Sequence, residues 1–143
     1  MELKSIAPSV YFSSDVGNPD TSRKFYSDVQ MYTVTMGAPD PGIFMRQFLS
    51  FEIASKENKW QGRNITRWRS DEYDKAFAAA EGELDPVKRA ALYIAMNDLV
   101  VGDPVVIPVV YRPRVSGISR QLRARFSGWD NDMWDLPNWY REA

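Results

Sequence analysis

SDEYDKAFAAAEGELDPVKRAALYIAMNDLVVGDPVVIPVVY, residues 70–111, is the stretch whose reading decides the fold. Ser70 offers a hydroxyl to an unpaired N–H of a first helical turn, and Asp71 and Glu72 sit at the positive end of its dipole. Tyr73, Ala76, Phe77 and Ala80 recur at three- and four-residue steps, so one face of a helix over residues 71–82 is apolar and Gly82 ends it. Asp85 followed by Pro86 opens a second helix, because proline at the first helical position gives up an N–H that would have had no partner. Its expected apolar stripe holds Val87, Ala90, Ala91, Ile94 and Leu99, and Gly102 stops it. Residues 105–111 are apolar and rich in valine, which predicts a covered strand. Pro108 in its middle places that strand at a sheet edge or a bulge.

Outward from this unit the elements are shorter. Residues 2–6 alternate polar and apolar and predict a strand. Residues 7–14 predict a short helix, 15–20 a turn-rich loop and 23–29 a helical turn. The aromatic and β-branched density of residues 30–36 predicts a parallel-sheet strand. Two prolines and two glycines make 37–42 a loop. Residues 43–50 have short amphipathic spacing, and 53–64 read as a polar loop. Beyond the central unit, 112–119 continue extended, 121–126 are basic, and 128–143 carry three of the five tryptophans. The expected fold class is α/β, a small mixed, partly parallel sheet flanked by helices.

Composition narrows the chemistry. The 143 residues, 44% hydrophobic and 26% charged, suffice for one domain with its own core. A net charge of −1 gives no electrostatic case for nucleic acid. There is no cysteine and no histidine. That removes disulfides, thiolate metal sites, Ser-His-Asp and Cys-His catalysis, and the commonest transition-metal ligand. The expectation is a protein that is not an enzyme and needs no metal or cofactor. A small hydrolase is the weaker alternative.

The segment at 64–115 resembles the C-terminal part of the extracytoplasmic solute-binding proteins of ABC transporters, in the class that serves oligopeptides, dipeptides and nickel chelates. The resemblance rests on three features together: Arg67-Trp68 ahead of Glu72-Tyr73-Asp74, the acidic turn running into Asp85-Pro86 and on to Leu92-Tyr93, and the apolar run ending in Tyr111-Arg112-Pro113. It extends upstream through MYTVTMGAPDPGIFMRQFLS, residues 31–50, similar to the strand, loop and helix that wall that family's ligand cleft. What the resemblance implies is one lobe portion of a type II periplasmic-binding-protein fold over residues 1–127. The aromatic tail, 128–143, would pack on the other lobe. Relatives of that kind are far longer, so a fragment is implied. Its partners would be a peptide-like small solute, the missing N-terminal lobe of the same protein and an ABC permease. The implied location is the periplasm, although no basic-then-apolar signal segment follows Met1.

Residues 32–40 are the main ligand-wall candidate, with Tyr32, Val34, Met36, Gly37, Ala38 and Asp40. Ligands of open α/β sheets bind beyond the carboxyl ends of strands. The plainer reading is a solvent loop whose Asp40 caps the next helix. Peptide-binding members resemble one another in an aromatic that stacks on the ligand and an aspartate that pairs with its α-amino group. Here Val34 and Gly37 stand at those places, which points to a ligand without that cation. Arg67 and Trp68 offer a bidentate donor and a stacking face, or a packing staple under the helix start. Trp60 reads equally as a stacking face or a packed side chain. Asp130, Asp132 and Asp135 lack the glycine and glutamate of an EF-hand loop and read as a solvated acidic stretch. The run Arg112, Arg114, Arg120, Arg123 and Arg125 lacks interleaved aromatics and reads as a charged edge. Exposed apolar surface, including Trp129, Trp134 and Trp139, makes an interaction or homo-oligomerisation module the alternative function.

Overall fold

The structure is a computed structural model that describes residues 2–113, 115–128 and 133–142. Its centre is the expected helical pair. Helix α3 spans Asp71–Gly82 and α4 spans Pro86–Gly102. Ser70 Oγ accepts the Tyr73 N–H at 3.2 Å, and Asp85 Oδ1 accepts those of Val87 and Lys88 at 2.9 and 3.3 Å. Two short helices precede the pair, α1 at Pro8–Tyr11 and α2 at Gly42–Met45. The latter runs on into 3-10 turns at Arg46–Phe48 and Ser50–Glu52.

One core joins these pieces. Met45, Phe48 and Leu49 pack with Tyr73, Phe77 and Ala80 of α3 and with Tyr93, Met96 and Val100 of α4. The face expected of α3 is the buried one. That of α4 is displaced: Val87 and Ile94 are 77% and 62% exposed, while Tyr93, Met96 and Val100 point inward, and of the expected stripe Leu99 packs half-buried against the core. Nearly every turn of α4 is apolar on more than one side, and packing on α3 and the 44–49 segment can cover only one of them.

A second feature lies in the segment expected to be a polar loop. Asn64 is fully buried. Its Nδ2 donates to the carbonyls of Trp68 at 2.9 Å and Leu49 at 3.0 Å, with that of Phe48 at 3.3 Å, and its Oδ1 accepts the Thr66 hydroxyl at 3.0 Å. Its backbone bonds Glu52 and Ala54, forming an isolated parallel bridge to Ile53. One side chain thereby satisfies the carbonyls of three turns at the core's edge. Gly62 allows this approach, since a Cβ there would stand 2.1 Å from the Glu52 carbonyl oxygen.

The expected strands at 2–6, 30–36 and 105–111 do not form. Among the described residues the sole sheet pairs β1, Leu122–Arg123, antiparallel with β2, Tyr140–Arg141. The described residues therefore form no partly parallel sheet. A strand exists only when a neighbour takes its ladder hydrogen bonds, and none of these three segments has one. Their side chains stay bare: Leu3, Met31, Ile107, Val109, Val110 and Tyr111 are each more than two-thirds exposed. The accessible surface is 10968 Å², against about 7,500 Å² for a compact monomer of this mass.

The tail folds on its own neighbourhood. Trp139 packs on Phe126 with ring centroids 5.4 Å apart, and Arg125 lies over Trp134. Asp135 is buried and accepts from Asn138 at 2.6 Å. Arg123 ion-pairs with Glu142, so part of the basic run borders this small hairpin. Arg114, Trp129, Asp130 and Asp132 lie outside the described residues.

Candidate functional site: an open groove beside residues 32–37

Residues drawn from the segments 12–14, 22–23, 32–37, 43–47 and 62–65 line an open groove of about 450 Å³. That is the size of a small-molecule site. Its shape starts with an aromatic cluster at the end of α1. Pro8 begins that helix at fixed φ. The helix delivers Tyr11 and Phe12 against Tyr32, with centroid separations of 4.9 Å for Tyr11–Phe12, 5.9 Å for Tyr11–Tyr32 and 6.2 Å for Phe12–Tyr32. The edge-to-face contacts suit the ring quadrupoles. Burial raises the Tyr32 hydroxyl above its ordinary pKa, which keeps it neutral and able to donate. Phe44 and Gln47, from α2 and its extension, line the groove as well.

Of the residues expected at a ligand wall, Tyr32, Val34 and Gly37 line the groove. Met36 and Ala38 are half-buried beside it and do not line it. Asp40 is turned away. Its Oδ1 accepts the Gly42 N–H at 2.7 Å and its Oδ2 faces Arg89 Nη1 at 2.8 Å. The Arg89 guanidinium, with the Gly42 N–H, holds the Asp40 carboxyl below the usual carboxylate range. Arg89 in turn donates to the Ala80 carbonyl and to Tyr93 Oη. The plainer reading of Asp40 holds only in part: Pro41, not Asp40, is the N-cap of α2, and the Asp40 carboxylate instead ties the loop to the Gly42 N–H and to α4.

Trp60 and Arg67 meet each other outside the groove. Arg67 donates to the carbonyls of Phe25 and Lys24 at 2.9 and 2.6 Å, and its guanidinium lies 5.9 Å from the Trp60 ring centroid. Lys24 Nζ is 5.7 Å from the same ring. Among the described residues the non-glycine positions with positive φ are Phe25, Lys59, Trp60 and Arg67, all in this cluster. Such backbone costs about 1 kcal/mol or more per residue and persists where surroundings overdetermine it. The notch beside Trp60 has about 10 Å³, room for a water molecule at most. Trp68 packs on Tyr73, and its Nε1 donates to Asp103 at 2.8 Å, so it serves as the staple under α3.

Phe12, Arg23, Phe44, Gln47 and Arg63 also line the groove, a placement that no motif in the sequence signalled. Gly62 was the available signal for Arg63, since a glycine inside an irregular polar segment marks close backbone approach. Nothing local marks Phe12 or Arg23. No family model matches the chain, and neither a curated protein nor a solved structure does.

Proposed function

We propose that this chain is one lobe portion of an extracytoplasmic solute-binding protein of an ABC transporter, and that its groove is one wall of the cleft for a peptide-like small solute. The observation that carries the reading is the open groove beside Tyr32, Val34 and Gly37, where the sequence resemblance puts the ligand-facing segment. The role is capture rather than catalysis: two lobes close about a hinge because the solute binds the closed state better, and an ABC permease then accepts it in the periplasm. The unpaired segments at 30–36 and 105–111 suit a chain whose sheet is completed by the remainder of such a protein.

A single wall covers too little of a ligand for tight binding, so affinities near the millimolar range are expected. Screening di- and tripeptides with free and with blocked amino ends, while following the backbone amides of Val34 and Gly37 by NMR, tests this. Tyr32→Ala should weaken any hit by about fivefold through loss of an aromatic contact. Hits that shift other amides and leave those two unmoved would sink the proposal. The bare apolar run at 105–111 favours a second reading, an association module that pairs with another chain.

A further inference from the structure

We infer that the groove takes a small solute with an anionic head, a carboxylate or a phosphate, carried on an apolar body. This rests on reading the groove as a solute wall and adds the chemical class of the guest. Arg23 and Arg63 line it, and no aspartate or glutamate does. Arg63 is exposed and makes no ion pair among the described residues. Arg23 Nη1 rests 3.3 Å from two neutral oxygens, the Trp60 carbonyl and Gln61 Oε1, and Arg23 makes no ion pair among the described residues.

Two of the nearby carboxylates are committed to other arginines. Asp40 is held by Arg89, and Glu52 by Arg46 at 2.7 Å. Asp15 belongs to the adjoining notch, where its Oδ1 accepts the Gly17 N–H at 2.8 Å and Arg23, Lys24 and Lys59 share the lining. The groove's own lining therefore carries two guanidinium groups and no carboxylate, while in the notch that shares Arg23 the single carboxylate of Asp15 stands among three cationic side chains. A guanidinium meets carboxylate and phosphate oxygens in a planar fork, whereas a cationic solute is repelled by both arginines. Serine hydroxyls at 13, 14 and 22 add donors for the same head. The rest of the lining is Phe12, Tyr32, Val34 and Phe44, a surface for an apolar body.

Titration of the full chain with phenylpropionate, phenyl phosphate, phenylpropanol and phenylpropylamine separates head charge from body, since all four share a phenyl ring. The readout is the shift of the Val34, Thr35 and Gly37 amides. Both anions should bind about tenfold more tightly than the amine, with the alcohol between. Replacing both exposed arginines, Arg23→Gln with Arg63→Gln, should narrow that ratio to about twofold, and added salt should narrow it in the original chain. An amine that binds as tightly as the anions, or a preference that survives both replacements, overturns the anion assignment and leaves the groove as a solute wall. If none of the four probes moves those amides, the wall itself falls with it.

Discussion

Asp40 shows how much a single carboxylate can do without touching a ligand. Its partners, Arg89 and the Gly42 N–H, hold its pKa below that of the unfolded chain. As pH falls, the unfolded state therefore takes up its proton first. The pair's stabilisation is complete above about pH 4, the ordinary aspartate value, and disappears as pH drops through the lowered folded value. Side-chain exposures of 43% for Asp40 and 30% for Arg89 let solvent screen the pair, so the effect is modest. The Arg89→Gln chain should unfold at lower urea than the original at neutral pH, with the gap narrowing on acidification. The part that persists in acid belongs to the Arg89 bonds with Ala80 and Tyr93. An equal gap at pH 7 and pH 3 would remove the ion pair from the account. Sequence predicted a cap at Asp40 and gave no sign of Arg89, 49 positions away, because the pair exists only once α4 lies beside the loop.

At the scale of elements, the helices are where sequence and structure agree best. Asp85 Oδ1 takes two of the four N–H groups that open α4, and Pro86 supplies none to be satisfied. Asp85→Ala should cost about 1 kcal/mol, and Asp85→Asn only a fraction of that because the amide oxygen still accepts. Urea unfolding followed by circular dichroism checks it, and equal losses for both would show that the cap is not the cause. Caps, breakers and the α3 stripe were legible because they depend on residues within one or two turns. The 53–64 segment was not. Its polar composition hid Asn64, whose burial depends on the carbonyls of Phe48, Leu49 and Trp68 converging on one point.

For the molecule as a whole, surface decides behaviour. The 10968 Å² it exposes exceeds the compact expectation by roughly 3,400 Å². That excess is larger than the roughly 1,000–2,500 Å² that one partner contributes to most obligate interfaces. Ile107 and Val109 are 71% and 74% exposed in a run with no ladder partner, the kind of segment that pairs with other chains. The isolated chain should therefore associate with rising concentration. Ile107→Lys with Val109→Lys should shift it toward monomer in light scattering, at little cost to a fold whose core lies elsewhere. Unchanged association would place the sticky surface outside this run.

What the sequence determined alone is local: the spans and ends of α3 and α4, the loop character of 37–42 up to Gly42, where α2 already begins, and the exclusion of histidine and cysteine chemistry. Hydrogen bonds to a cap and apolar repeats at 3.6 residues are settled among near neighbours. Tertiary structure decided everything that needs a distant partner. It chose which side of α4 is buried and left three β-rich segments without ladders. It also drew Asp40 toward Arg89 and out of the groove, and it brought Phe12, Arg23, Tyr32 and Arg63 from separate segments around one opening. A strand, an ion pair or a groove wall is a property of two pieces of chain, and a residue pattern describes only one of them.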